Sequence, residues 1–239
     1  MSLFRQIQRS GSQSIQLAFP KTETCSCDFH NLAGYDSHLF INSFGKTQGN
    51  IDCSPNNEEN YINFSKSVND ENSHLKYKIR FIDSLNFMSS GLDKLTNNLE
   101  RGQFENMNTH SKNFELCLRN SVFTYDWFDC LEKLTEKQFP PKEAFFSKLI
   151  DSEISDENYG HAQKVWKQFE MKSFREYHDL YLKTDVLLLV DVFVNFGDIC
   201  INNYDLDPAW YYTAPGLAWD ACLKKTGVQL ELLSDPVYI

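Results

Sequence analysis

Two short runs of residues carry side chains of the kinds that form chemical sites. The first is the heptapeptide His30–Asp36, which combines a glycine-containing turn with an imidazole, an amide, a phenol and a carboxylate. The second is the pair Tyr181 and Asp185, which lie four residues apart in a predicted helix and therefore share one face. The apolar run Val186–Val190 follows Asp185 directly, so we expect this carboxylate to be buried. A buried carboxylate is costly unless it is paired, hydrogen-bonded or bound to a metal ion.

Both runs also have purely structural interpretations. In the first run, Asp36 would be the N-cap of a helix and Asn31 a turn residue, with the Tyr35 ring in the core. In the second, Asp185 would form an ion pair with Lys183 or with a basic residue of another helix. The residue types alone leave both interpretations open.

The strands that would support these residues are predicted from alternation of side-chain type. Strands are predicted at 61–64 and 76–82, and in the second of them aromatic or aliphatic residues alternate with basic ones, as one buried sheet face requires. The polar segment 45–60 is predicted to be a surface loop. The first 24 residues are polar and aperiodic and are predicted to form a tail.

Two long helices are predicted in the second half of the chain. The first has its apolar residues on one face between Tyr159 and Phe169, after an acidic start. The second is predicted over 174–204 and opens with a capping box of Ser173 and Glu176. Because its middle is apolar nearly all round, we expect it to be buried. Together these elements predict an α/β fold, with strand 76–82 in a mixed sheet and helix 174–204 packed across it.

Composition excludes several classes of protein. The chain has 239 residues, 41% of them hydrophobic, and a formal net charge of −10, which argues against a protein that coats duplex DNA through phosphate contacts. Its seven cysteines contain no C-x-x-C pair, so neither a zinc ribbon nor a disulfide scaffold is indicated. We find no apolar run long enough to span a membrane and no secretory signal, so we expect an intracellular protein.

The two runs together form a recognisable pair. An N-x₃-[FY]-D turn followed far downstream by a Y-x₃-D helix resembles the second and third exonuclease motifs of family B DNA polymerases. Longer segments are similar to the protein-primed organellar and viral members, and most similar to those of mobile elements in animal genomes. These segments are HNLAGYDSHLF, IRFIDSLNFMSSGLDKLTNNL, FPPKEAFFSKL, ISDENYGHAQKVW, YHDLYLKTDVLLLVDVF and YYTAPGLAWDACLK.

The resemblance implies a ribonuclease H-like fold and a 3′–5′ exonuclease site with two divalent ions, Mg²⁺ or Mn²⁺. It implies that Asp36 and Asp185 are metal ligands and that Tyr181 orients the attacking water. The residues that it implies for binding a single-stranded DNA 3′ end are His30, Asn31, Tyr35, Ser84 and Leu85. Stacking on an aromatic ring and amide contacts suit that ligand. In the parent family a terminal protein is a further partner.

The sequence departs from the family pattern in two places. The first exonuclease motif, D-x-E, is absent before His30, where only Thr22-Glu23-Thr24 is found, and no palm motif such as Y-x-D-T-D follows. We therefore divide the chain into a poorly matched tail (1–28), a partial exonuclease domain (29–204) and the start of a connection to the polymerase domain (205–239). We expect a fragment of a DNA-directed DNA polymerase that by itself neither polymerises nor excises nucleotides.

Two other functions stay open at this point. The chain could be a non-catalytic module that binds single-stranded DNA or a protein. Alternatively, it could be an unrelated nuclease whose site is completed by another carboxylate, such as Asp83 or Asp28.

Overall fold

A computed structural model describes residues 22–55, 61–69, 76–110, 113–118, 122–149 and 151–230 of the chain. Its strands are β1 Thr22–Phe29, β2 Asn50–Pro55, β3 Tyr61–Asn69 and β4 Lys76–Asp83. Its helices are α1 Ser37–Phe44, α2 Leu92–Thr96, α3 Glu105–His110, α4 Phe114–Cys117, α5 Asp156–Gln168, α6 Phe174–Tyr204 and α7 Ala214–Thr226. The predicted α/β class is confirmed.

The chain divides into two compact units. Unit 1 comprises Met1–Ser90 and Phe193–Ile239, and unit 2 comprises Gly91–Val192. Helix α6 therefore contributes its first part to unit 2 and its last part to unit 1. The boundaries predicted at residues 28 and 204 stay predictions.

Unit 1 is built on a four-stranded mixed sheet with the order β1-β4-β3-β2. Strands β1 and β4 are parallel, with Phe29 beside Asp83, so their carboxyl ends meet at the same edge. The other two pairs are antiparallel. Strand 76–82 thus lies in a mixed sheet as predicted, whereas the packing of α6 across that sheet stays a prediction.

Two segments predicted to be irregular form strands. The surface loop predicted at 45–60 contains β2, which pairs with β3, and the tail predicted over the first 24 residues contains the start of β1. The sequence of β1 alternates weakly, but Cys27 is buried and Phe29 packs beside it in the core, while the backbone pairs along the whole of β4. Sheet pairing of this kind overrides weak local preference.

An aromatic core covers one face of the sheet. The rings of Phe64 and Phe81 stack with centroids 4.6 Å apart, and Phe40 and Phe44 of α1 pack against Phe81 at 5.6 Å and 5.1 Å. Clusters of this kind combine apolar burial with favourable ring geometry. Helix α1 is therefore fixed against the sheet directly after Asp36.

The opposite face of β4 is also covered, which the alternating pattern did not predict. Arg80 is only 7% exposed, and its guanidinium donates hydrogen bonds to the carbonyls of Ala209 and Trp210 and to the hydroxyl of Tyr212. Its charge also lies 4.4 Å from the centre of the Tyr212 ring. An arginine can be buried when its donors are satisfied in this way.

Unit 2 is helical around two hydrophobic clusters. One contains Ala162 and Val165 of α5 with Phe174 and Tyr177 of α6, as predicted from the apolar face of α5. The other joins Met107 of α3 to the middle of α6. The 3₁₀ turns Leu131–Thr135 and Lys142–Phe145 lie between α4 and α5 in the chain.

The start of α6 differs in detail from the predicted capping box. The carboxylate of Glu176 accepts a hydrogen bond from the backbone N–H of Lys172 at 2.8 Å, one residue before the predicted partner Ser173. The carboxylate still satisfies a free N–H ahead of the helix.

Among the described residues, no helix combines the length and the apolar character needed to cross a membrane.

Candidate functional site

The heptapeptide His30–Asp36 forms a tight turn after β1, and its last five residues make one π-helical turn. Asn31 has a left-handed backbone with φ +67°, a conformation that asparagine tolerates better than most residues. Its side-chain amide folds over Gly34, where an added Cβ would overlap it. A side chain at position 34 would therefore displace the Asn31 amide from this position.

Asp83 anchors this turn from the end of β4. Its carboxylate accepts backbone hydrogen bonds from Asn31 at 2.9 Å, Ala33 at 3.3 Å and Leu85 at 3.0 Å. Asp83 is only 4% exposed, so these N–H groups replace the water that would otherwise solvate its charge. Sequence reasoning considered Asp83 only as an alternative nuclease ligand. The signal for its actual contacts was its place at the carboxyl end of a strand, beside the turn.

A second contact joins the same two segments. The Nδ1 atom of His30 and the Oγ atom of Ser84 lie 2.8 Å apart, although 54 positions separate them in sequence. Ser84 is fully buried, so in this conformation its side chain does not contact a ligand directly. Leu85 is half-buried beside it. Four of the five residues predicted to bind DNA therefore lie at one edge of the sheet, while the side chain of Tyr35 lies outside the described residues.

Asp36 directly precedes α1, but its side chain makes no capping hydrogen bond. Asp36 therefore occupies the N-cap position, but the capping hydrogen bond expected of its side chain is not formed. The pKa of Asp36 is raised, first because burial disfavours its charged form and second because the Asp83 carboxylate is nearby. A carboxylate with these properties gains from a nearby cation.

Tyr181 and Asp185 lie on α6 in unit 2. Burial raises the pKa of Asp185 to about 6, while a hydrogen bond from Tyr181 opposes that rise. One Asp185 oxygen, Oδ1, is buried and has no hydrogen-bond partner among the described residues. The predicted structural partner, Lys183, instead donates to the carbonyl of His110 at 3.1 Å. Pairing with Lys183 therefore does not explain this carboxylate.

Sequence reasoning missed Tyr125, which lies beside this pair. Its hydroxyl makes a short hydrogen bond to the hydroxyl of Tyr181, and its ring is 70% exposed. The Tyr181 ring also stacks on Phe123 with centroids 4.9 Å apart. Burial, followed by the bond to Tyr125 and the charge of Asp185, raises the pKa of Tyr181. The phenol therefore stays protonated, and can donate a hydrogen bond, at any physiological pH.

The Oδ1 atom of Asp185, which has no hydrogen-bond partner among the described residues, is a candidate ligand for a metal ion. A buried carboxylate oxygen without a hydrogen-bond donor fits the donor set that Mg²⁺ prefers. The described part of the chain contains no group of three or more His, Cys, Asp or Glu side chains that could hold a metal ion. Asp36 belongs to unit 1 and Asp185 to unit 2, and a site shared by the two stays a prediction.

The two alternative carboxylates, Asp83 and Asp28, have different surroundings. Two backbone N–H groups occupy one oxygen of Asp83 and one occupies the other, so it serves as an anchor. Asp28 lies on β1, and burial of its carboxylate, followed by the nearby Asp207 carboxylate, raises its pKa to about 6. Backbone donors therefore account for Asp83, whereas Asp28 has a second carboxylate nearby, as Asp36 does.

Unit 2 also contains a cavity of about 510 Å³ next to α6. Its lining includes Met107, Phe169 and Leu187 together with the polar residues His110 and Lys183. Tyr181 and Asp185 are not among the lining residues. The cavity is therefore separate from the candidate site.

Comparison with family models, curated protein sequences and solved structures finds no match to this chain.

Proposed function

We propose that this chain is the part of a 3′–5′ exonuclease domain that binds the 3′ end of single-stranded DNA, from a protein-primed family B DNA polymerase with a ribonuclease H-like fold. The observation that carries the proposal is the junction of His30 with Ser84 and of Asn31 with Asp83. The sequence resemblance assigns both segments to one DNA-binding set. Their meeting at the carboxyl ends of two parallel strands supports that assignment.

Three residues of the turn, Asn31, His30 and Tyr35, have roles in this proposal. The Asn31 amide has donors and an acceptor for a sugar, a phosphate or a base edge. His30 is half-buried, and its Ser84 contact leaves the other ring nitrogen for the ligand. The ring of Tyr35 is proposed to stack on a terminal base.

The net charge sets the kind of binding that is expected. A net charge of −10 disfavours the many phosphate contacts that give nucleic-acid binding its usual strength and steep salt dependence. Stacking of a base on an aromatic ring contributes to the binding of a few nucleotides whatever their sequence, since every base has a face that can stack. We therefore expect weak binding that selects a free end over an internal segment.

Asp36 and Asp185 are proposed to hold Mg²⁺ or Mn²⁺ at the bound end. When bound, the ion supplies positive charge to a phosphate that two carboxylates would otherwise repel. Tyr181 is proposed to position a water molecule by donating a hydrogen bond. Excision by the chain alone should be negligible, because a two-metal site uses about four carboxylates and only two are identified.

The test measures binding of fluorescent oligothymidylate by anisotropy, with a linear strand compared with a circular strand of the same length. We expect tighter binding of the linear strand, and a loss of about tenfold for Asn31→Ala, because a hydrogen bond to a charged group is removed. Asn42→Ala, at an exposed asparagine of α1, is the matched control and should bind as the unmodified chain does. Equal binding of linear and circular strands would refute end recognition.

Excision is tested with the same linear strand in Mg²⁺ or Mn²⁺. We expect no shortening of the strand. Shortening by the unmodified chain that disappears in the double variant Asp36→Ala with Asp185→Ala would show that further ligands complete the site. Binding of neither strand would favour the alternative of a protein-binding module.

A further inference from the structure

We propose that Asp83 is a positioning residue, which sets the conformation of the His30–Asp36 turn without touching the DNA. This inference rests on the proposed function, because the turn is the part of the chain proposed to bind a 3′ end. It assigns a role to a residue that the sequence analysis treated only as a possible nuclease ligand.

The hydrogen bonds of Asp83 are distributed across the turn. Its Oδ1 atom accepts from the N–H groups of Asn31 and Leu85, and its Oδ2 atom accepts from Ala33. One side chain thus fixes two residues of the turn to the start of the 3₁₀ turn Ser84–Asn86. Because all three donors are backbone groups, Asp83 acts on main-chain conformation.

The conformation that Asp83 holds at Asn31 is uncommon for residues other than glycine, although asparagine tolerates it better than most. Asn31 has φ +67°, and its N–H is the group that bonds to Asp83. In this conformation the Asn31 amide lies against Gly34. If the Asp83 contact were lost, Asn31 would be free to return to ordinary negative φ, and its amide would leave this position.

Asp83 is too enclosed to serve the ligand directly. It is 4% exposed, and its neighbour Ser84 is fully buried and bonded to His30. Its negative charge would also repel a phosphate. Removing that charge should strengthen DNA binding on electrostatic grounds alone. The positioning role predicts instead that replacing Asp83 weakens DNA binding.

The experiment compares Asp83→Asn with Asp191→Asn. Asp191 is a matched control, since it is 1% exposed and accepts backbone N–H bonds from Asn106 and Met107 in unit 2. Both changes remove one negative charge and weaken a buried anchor. Both proteins are measured at a temperature where circular dichroism shows them folded, with linear and circular oligothymidylate in EDTA.

We expect Asp83→Asn to weaken binding of the linear strand by about tenfold or more and to lower the preference for linear over circular DNA. Asp191→Asn should keep that preference. A folded Asp83→Asn protein with unchanged affinity and preference would overturn the inference. A loss seen in Mg²⁺ but not in EDTA would also overturn it, because Asp83 would then act as a metal ligand.

A second readout separates this inference from the proposed function. If the unmodified chain binds no DNA, the proposed function fails, and amide hydrogen exchange decides the role of Asp83. Faster exchange at Asn31, Ala33 and Leu85 in Asp83→Asn, with Asn106 and Met107 unchanged, would support positioning of the turn. Unchanged exchange at all five amides would refute it.

Discussion

At the scale of single residues, Asp185 has the least satisfied environment of the candidate site residues. Its Oδ1 atom is buried without a hydrogen-bond partner among the described residues, and burial raises its pKa from 3.8 to about 6. At a pH between these two values, Asp185 is protonated in the folded protein but ionised in the unfolded chain. Stability from this proton is therefore present below about pH 4 and lost as the pH rises through 6.

Substitution of Asp185 by asparagine should stabilise the protein at neutral pH. We expect the midpoint of thermal unfolding for Asp185→Asn to exceed that of the unmodified chain by roughly 2–4 °C at pH 7.5, because a buried charge is removed. The difference should shrink towards zero at pH 4, where both side chains are neutral. Thermal unfolding followed by circular dichroism across pH 4 to 8 checks this result.

The control for this series is Asp198→Asn, at an exposed position of the same helix. It should leave the unfolding midpoint nearly unchanged at both ends of the pH range. Lower stability of Asp185→Asn at pH 7.5 would mean that the carboxylate is stabilised by a partner. If Asp185→Asn is more stable, the native carboxylate lowers the stability of the protein, as residues of functional sites often do.

Part of the residue-level site could be predicted from sequence, and the rest could not for a physical reason. The spacing of Tyr181 and Asp185 in a helix places both on one face, so their proximity follows from local geometry. The contacts of Asp83 with Asn31 and of Ser84 with His30 depend on the pairing of two distant strands. Without the resemblance, no local pattern would have joined them.

At the scale of secondary-structure elements, the end of α1 depends on an unusual buried lysine. Lys66 of β3 is 2% exposed, and its ammonium donates to the carbonyls of Phe44 at 2.6 Å and Thr47 at 2.9 Å and also to the hydroxyl of Thr47. It also lies 4.6 Å from the centre of the Phe44 ring. A cation at the carboxyl end of a helix satisfies carbonyls that have no partner within the helix.

Replacing this lysine with an apolar residue of similar length should destabilise unit 1. We expect Lys66→Met to lower the free energy of unfolding by about 2 kcal/mol, because the carbonyls of Phe44 and Thr47 lose their charged donor. Urea unfolding measures the change. Lys78→Met on the adjacent strand is the control, since the Lys78 ammonium is 3.3 Å from Asp52 in a largely exposed ion pair. Its effect should stay within about 0.5 kcal/mol, and equal losses in both variants would contradict the capping role.

The elements also show where sequence patterns are sufficient. Helices α5 and α6 have long periodic or apolar sequences, and both were predicted closely. Strands β1 and β2 were missed, because their polar sequences gain regular structure only from pairing with β4 and β3. Arg80 was predicted on an open face for the same reason, since the segment that covers it lies about 130 positions away.

At the scale of the whole molecule, the central claim concerns two carboxylates in different units. Asp36 lies in unit 1 after the candidate DNA-binding turn, and Asp185 lies in unit 2 on α6. Each has a pKa raised by burial, so each would be stabilised in its charged form by a cation. The proposed function assigns both carboxylates to the binding of a divalent ion.

The most direct test is a titration of the full chain with Mn²⁺, with free ion measured by electron paramagnetic resonance. The unmodified chain, Asp36→Asn, Asp185→Asn and the double variant are compared at pH 7.5. A shared site predicts one bound ion per chain, with each single variant losing as much affinity as the double variant, because either carboxylate alone holds the ion poorly. Two ions per chain, with each single variant retaining one, would contradict the shared site.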